Sequence, residues 1–389
     1  MQQSWQLDPA WTFLNHGSFG ARLNSVAQEQ ERWRRRLEKQ PMRFLLDEYL
    51  PLLDKARSVL AELVGAQSEN LVFVPNATYG VNSVLRSWSL KPGDEIVVLD
   101  QAYGACRAAL DYVAQRHDAR VVQVTLPFPV SSPEQITAAI MDRVSSRTRF
   151  AMIDAVISPT GWVLPIEEIV SALKGRGVET LVDAAHSPGL IDVDFDRCGA
   201  AFTTANLHKW ICAPLGTACL HVRSDWRDRI FPCALSHGLN LPKAQRWQDC
   251  YDWTGTFDPS AWLSFPFALQ ALEACHPEGL NGLMQRNRNL AWQGAQILNQ
   301  RLGYELTAPA SMFGAMTSLF LPLPAHEALH HLETDPLQRR LIEGYQIEIP
   351  ILSFAGRRMV RISCQAYTDL AQLEHLGEAL AAEVAKAPS

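Results

Sequence analysis

Apolar residues along the chain fall into two alternating patterns. Short, nearly continuous aliphatic and β-branched runs lie at 70–74, 94–100, 121–126, 149–157, 179–183 and 217–222, bounded by Gly, Pro, Asn or Asp. Runs of that length and make-up predict strands buried on both faces. Between them, apolar residues recur at three- and four-residue spacing over 24–40, 45–64, 133–144 and 166–174, which predicts helices. Leu46, Leu50, Leu53, Ala56, Leu60 and Val64 draw one such stripe, with Pro51 as a kink or a fresh start and Gly65 as a C-cap. Strand followed by helix, repeated, points to an α/β architecture.

Past residue 260 the rhythm changes. Two long helical stretches, 261–274 and 283–302, bridge to short strands at 316–321, 346–349 and 359–362, and an amphipathic helix over 370–384 closes the chain. A length of 389 residues accommodates a large α/β unit and a smaller one. The divisions expected are an N-terminal segment over 1–20, a large unit over 21–265, and a linking helix with a small C-terminal unit over 266–389.

Composition narrows the function classes. A net charge of −6 and the lack of a basic stripe argue against a nucleic-acid binder. The densest basic cluster, Arg32 to Arg36 around Trp33, is balanced by Glu29, Glu31 and Glu38 and reads as a solvated helix face. Eight scattered cysteines without C-x-x-C pairs fit free thiols in a reducing compartment. No apolar run nears the roughly 18 residues of a membrane span, and the first residues show no basic-then-apolar leader. A cytoplasmic protein without a metal is expected.

The candidate chemistry gathers around Thr203-Thr204-Ala205-Asn206-Leu207-His208-Lys209-Trp210. By itself His208-Lys209 is an ordinary pair at a strand end. Upstream, however, the strand at 179–183 ends in Asp183 and is broken by Ala184-Ala185-His186-Ser187-Pro188-Gly189. An acid at the carboxyl end of a parallel strand points into the crevice where such sheets bind ligands. A carboxylate for a pyridinium nitrogen, hydroxyls for a phosphate and an amine for an aldehyde together describe a site for pyridoxal 5′-phosphate. There Lys209 is the amine that condenses with the cofactor and later acts as base. Pro75-Asn76-Ala77-Thr78-Tyr79-Gly80, between a strand and a helix, adds exposed amides suited to an anion.

Taken together, these residues resemble the class V aminotransferases, fold type I pyridoxal-phosphate enzymes. The nearest likeness is the branch of isopenicillin N epimerase and cysteine or cystine C–S lyases, from Leu14-Asn15-His16-Gly17 to Arg361-Ile362-Ser363. The resemblance implies a mostly parallel seven-stranded sheet between helices, with 217–222 as its antiparallel member, and a smaller α+β C-terminal domain. It implies that Asp183 holds the ring nitrogen and that His186 meets the ring hydroxyl or the substrate. Tyr103 would stack on the ring, and Ala77, Thr78, Thr204 and His208 would surround the phosphate. It also implies a homodimer in which Thr256 reaches the partner's phosphate. The substrate would be a small molecule, an amino acid. Arg361 is the candidate for its carboxylate, with Asn15, His16 and Arg43 as further contacts. Two departures stand out: Ala155, where the family commonly has His, and Phe257, where it often has Arg.

The expected reaction is Cα-proton abstraction followed by β-elimination of sulfur. No cysteine in the stretch 344–358 offers a persulfide nucleophile, and only His16 and His237 could serve as a second, opposite base. Epimerisation and transamination are the alternatives. A non-catalytic pyridoxal-phosphate-binding regulatory domain is the reading from another class, and it lacks an appended DNA-binding module.

Overall fold

The computed structural model describes residues 4–240, 247–303, 306–325, 334–354 and 356–386. Seven strands build the main sheet: β1 (Leu71–Val74), β2 (Glu95–Leu99), β3 (Arg120–Val124), β4 (Thr148–Asp154), β5 (Glu179–Asp183), β6 (Phe202–Asn206) and β7 (Ala218–Val222). Their order is β1-β7-β6-β5-β4-β2-β3. Every pairing is parallel except those of β7, which runs against both β6 and β1. The link from β6 to β7 explains the exception. It carries Lys209 over residues 207–217 and contains no helix, whereas a parallel return needs a crossover of a dozen or more residues.

Alternate residues of the strands feed separate cores. Val72 and Val74 pack with Val81 of α3 (Ala77–Ser87) and Leu110 of α4 (Gly104–Arg116), below α1 (Asn24–Lys39) and α2 (Tyr49–Val64) in chain order. Leu71 and Phe73 face the other way, against Leu60 of α2 and Phe265. The helix expected over 45–64 is preceded by a π-helical turn, Phe44–Glu48. Helix α2 therefore begins at Tyr49, and Pro51 falls in its first turn, where amides lack helical partners anyway. Gly65 ends it in the left-handed conformation, φ 59°.

A second sheet, order β9-β10-β8, is antiparallel and contains β8 (Met316–Pro324), β9 (Ile351–Phe354) and β10 (Arg357–Ser363). The long helix Gly279–Leu302 and the closing helix Leu370–Ala385 cover it through Ala291, Leu298, Leu373 and Leu380. The stretch 344–358 is mostly extended: Ile347–Glu348, inside the strand expected at 346–349, pairs with Thr12–Phe13, and Ile351–Phe354 is β9. Burial of Ile347, Ile349 and Ile351 at two-residue spacing is the reason. Leu14 bonds to Glu348 and Ser363 through the backbone. The N-terminal segment is thereby held against the small sheet, with residues 16–20 beside the lysine turn.

Candidate active site

The carboxyl ends of β4, β5 and β6 and the N-termini of α3 and α4 surround a cavity of about 510 Å³, a size ordinary for a small-molecule site. Asp183, the last residue of β5, is buried. Its Oδ1 accepts the Ala185 amide at 3.0 Å, and its Oδ2 accepts the Cys106 thiol at 3.4 Å. Burial raises its pKa, while those two donors and Lys209 act in the opposite direction.

Lys209 lies three residues past β6, with its amine 3.1 Å from His186 Nε2. The Trp210 indole N–H faces His186 Nδ1 at 3.4 Å. An indole is only a donor, so Nδ1 accepts and a neutral His186 carries its proton on Nε2, toward the amine. Burial and then Lys209 depress the His186 pKa well below the usual imidazole value. Burial, followed by repulsion from Arg361, lowers Lys209 to about 8. Above about pH 8 this geometry gives a neutral amine that receives a hydrogen bond from a neutral imidazole.

The turn holding Lys209 is fixed from behind. His16 is fully buried; its Nε2 meets the Lys209 carbonyl at 3.0 Å and its Nδ1 the Tyr367 hydroxyl at 3.0 Å. Expected as a substrate contact, His16 instead braces the lysine backbone and does not line the cavity. The close approach needs Gly20: at φ 76°, a Cβ there would sit 2.2 Å from the His208 carbonyl oxygen. His208 lines the cavity, and its Nδ1 is 3.1 Å from the Thr217 carbonyl.

At the other end of the cavity, Asn76 caps α3 by accepting the Tyr79 amide, and Ala77 and Thr78 open the helix. Asn206 gives its side-chain oxygen to the Ala77 amide at 2.9 Å. Its NH2 bonds to no described residue. Thr204, expected here, is elsewhere: its hydroxyl is spent on the Cys219 carbonyl at 2.9 Å, beneath Gly80, and it does not reach the cavity. Thr204 and Asn206 share a strand face, but Thr204 lies one pleat deeper, under the helix. Asn206 was missed because hydroxyls were sought and strand depth was not.

Arg361 does not itself line the cavity; it lies directly behind two residues that do, Ser158 and Ser18. It donates to the Ser158 carbonyl at 2.6 Å and to Ser18 Oγ at 3.0 Å, and Ser18 in turn bonds to Asn15. Arg361 is buried, its Nε has no partner, and no carboxylate pairs with it among the described residues. Burial lowers its pKa to about 10. Asn15 thus supports the wall through Ser18 and does not line the cavity. Tyr103 stands half-exposed at the mouth. Arg43 is outside the site, exposed and paired with Glu48 at 3.2 Å. Thr256 is exposed and outside this chain's cavity, and Phe257 packs on Tyr49 and Trp262.

The model for "Aminotransferase class-V" matches residues 45–376. The chain belongs to that family. A probable chloroplastic L-cysteine desulfhydrase of Arabidopsis thaliana is 33% identical over 88% of this chain and 75% of its own length. Isopenicillin N epimerase of Streptomyces clavuligerus is 32% identical over 96% of this chain and 95% of its own. The solved structure of the cystine C–S lyase C-DES, bound to its product cysteine persulfide, superposes with a TM-score of 0.81 at 20% identity, covering 95% of this chain and 97% of that one. As a class V aminotransferase relative, this protein is an enzyme that uses pyridoxal 5′-phosphate and acts on an amino acid. The cavity suits that cofactor: an acid on the floor, an amine in reach, and the N-terminus of α3 opposite, with Ala77 and Thr78 lining it.

Proposed function

We propose that this enzyme is a C–S lyase, eliminating the β-sulfur of a cysteine-derived amino acid to give pyruvate, ammonia and a thiol or sulfide. The observation that carries this reading is the placement of bases. Lys209 is the sole amine lining the cavity among the described residues, with His186 and His208 beside it. Both loop histidines considered as a second, opposite base are elsewhere: His16 lies behind the lysine turn and His237 does not line the cavity. Inversion at Cα wants a proton delivered to the opposite face; elimination does not.

The cofactor, when bound, supplies the electron sink that acidifies the substrate Cα–H. Asp183 would hold its ring nitrogen, and Ala77, Thr78, Asn206 and His208 its phosphate end. Tyr103 would cover its ring at the mouth. Arg361, with a free Nε and no acid partner, would take the substrate carboxylate by a planar fork. Lys209, half deprotonated at about pH 8, would remove the Cα proton while His186 orients the amine. No cysteine lies between residues 344 and 358 to receive sulfur, which supports release over persulfide transfer.

A homodimer is part of the reading. Phe19, Leu215 and Tyr103 are exposed apolar side chains around the cavity mouth, with Met42 and Leu46 exposed elsewhere, as expected of a surface that a second copy covers. Thr256 would then serve the partner's phosphate site. No described helix is long and apolar enough to cross a membrane, and all eight cysteines are free, which supports a cytoplasmic setting.

Incubation with cysteine, cystine or cysteine S-conjugates in deuterated water tests the reaction. Pyruvate and ammonia, with no deuterium in recovered substrate, are expected. Deuterated substrate of inverted configuration without pyruvate would replace elimination with epimerisation.

A further inference from the structure

Asp154, the last residue of β4, sits directly beside Asp183: the two are register partners on adjacent parallel strands. Partners in a parallel ladder project to one face, so two carboxyls stand side by side on the cavity floor. Both are buried and both line the cavity. Neither has a salt-bridge partner among the described residues. The groups facing the pair are the Cys106 thiol from α4, the backbone amides of Tyr103 and Ala185, and Lys209 from the turn after β6.

Two carboxylates buried side by side are strongly disfavoured as a pair of anions; one keeps a proton. The hydrogen bonds decide which. Asp183 has a donor on each oxygen, Ala185 N–H and Cys106 S–H. Asp154 Oδ2 has no donor among the described residues. An anionic oxygen left bare in the interior is costly, whereas a protonated Asp154 carries no charge there and has an O–H to offer the neighbouring carboxylate. Burial, and then Asp183, raise the Asp154 pKa well above the carboxylate range, in agreement.

We propose that Asp154 is a neutral carboxylic acid that donates its proton to the Asp183 carboxylate and thereby keeps Asp183 the anionic partner of the cofactor's ring nitrogen. Asp154 is a positioning residue: it acts through Asp183. Without its donor, a buried Asp183 becomes more basic and draws the shared proton away from the ring. This rests on the assignment of Asp183 to the ring nitrogen, and that assignment has its own control.

The test is nitrogen-15 NMR of the holoenzyme reconstituted with pyridoxal phosphate labelled at the ring nitrogen, alongside cofactor dissociation constants. Asp154→Asn keeps a neutral donor and is expected to leave the ring shift at its protonated value, with affinity within about 2-fold. Asp154→Leu is expected to move the shift toward the unprotonated value and to weaken binding about 10-fold, one lost charge-assisted hydrogen bond. If Asp154→Asn fails as badly as Asp154→Leu, Asp154 acts as an anion and the proposal is wrong. A Leu variant identical to wild type overturns it equally. Asp183→Asn controls the underlying assignment: if it leaves the ring protonated, that assignment is what fails. Should the Leu variant not fold, infrared difference spectra of wild type and Asp154→Asn decide. A protonated-carboxyl stretch present only in the wild type is expected, and its absence overturns the proposal.

Discussion

The floor and the wall of the cavity are unbalanced in opposite senses. The floor, at the ends of β4 and β5, carries Asp154 and Asp183 with no cation bonded to either among the described residues. The wall and the lysine turn carry Arg361 and Lys209 with no anion in hydrogen-bond reach among the described residues. Folding alone would favour pairing these groups or removing them, because an uncompensated buried charge is destabilising. Their separation makes sense for a ligand set with a cationic ring nitrogen at one end and a substrate carboxylate at the other. Preorganised, unpaired groups of this kind are what a binding site requires and what a stable core avoids.

Substitutions can break that contrast. The largest expected effect is on the cofactor-free protein. Lys209 is held at about 8 against an ordinary 10.5, so below pH 8 the folded state carries a desolvated ammonium. Between pH 8 and 10.5 the unfolded chain binds more protons than the folded one, and stability therefore rises with pH there. Lys209→Met should stabilise the cofactor-free protein at pH 7 by on the order of 3 kcal/mol, with the gain vanishing above pH 10.5. Urea unfolding across that range is the check.

Arg361→Leu comes next. It should lower kcat/KM by about 100-fold or more, the scale for a buried ion pair that loses one member, mostly through KM, and should not weaken the empty protein. A loss seen equally in stability would mark Arg361 as structural.

Asn206 and Thr204 make a smaller paired test. Asn206→Ala should raise the cofactor dissociation constant about 10-fold, on the scale of one hydrogen bond to a charged group. Thr204→Val should leave it unchanged and cost only a modest loss in melting temperature. Equal effects of the two on cofactor retention would restore the expectation that Thr204 holds the phosphate.

The smallest effect concerns His16, whose pKa burial lowers to about 4. The unfolded chain binds the extra proton between pH 6.5 and 4, so this group makes stability fall as pH falls through that window. His16→Gln should shed that part of the acid sensitivity, read by thermal melts at pH 7 and 5.

The contrast between floor and wall also marks what the sequence made legible. Asp183, His186, His208 and Lys209 lie within one strand–turn–strand stretch, where local order dictates their proximity. Six of the main sheet's seven strands followed from the apolar runs, and the seventh, β6, from the strand end expected before Lys209. The wall was harder. Arg361 was found from its strand setting and the family likeness. Its partners Ser158 and Ser18 lie 203 and 343 residues away in sequence, and Ser18 reaches it because Thr12–Phe13 pair with Ile347–Glu348 and Asn15 bridges to Ser363. His16 was misread for the same reason: a loop sequence does not reveal that its histidine will be buried against a lysine carbonyl. Thr204 and Asn206 differ by a single pleat, a depth that residue type does not encode. Asp154 carried no motif; only strand register places it beside Asp183.

Borohydride reduction of the holoenzyme, followed by proteolysis and mass mapping, tests the central claim most directly. Reduction should fix the pyridoxyl group on the peptide containing Lys209 and on no other, and Lys209→Ala should retain no covalent label. A pyridoxyl group on any other lysine would contradict the assignment of this cavity as the active site.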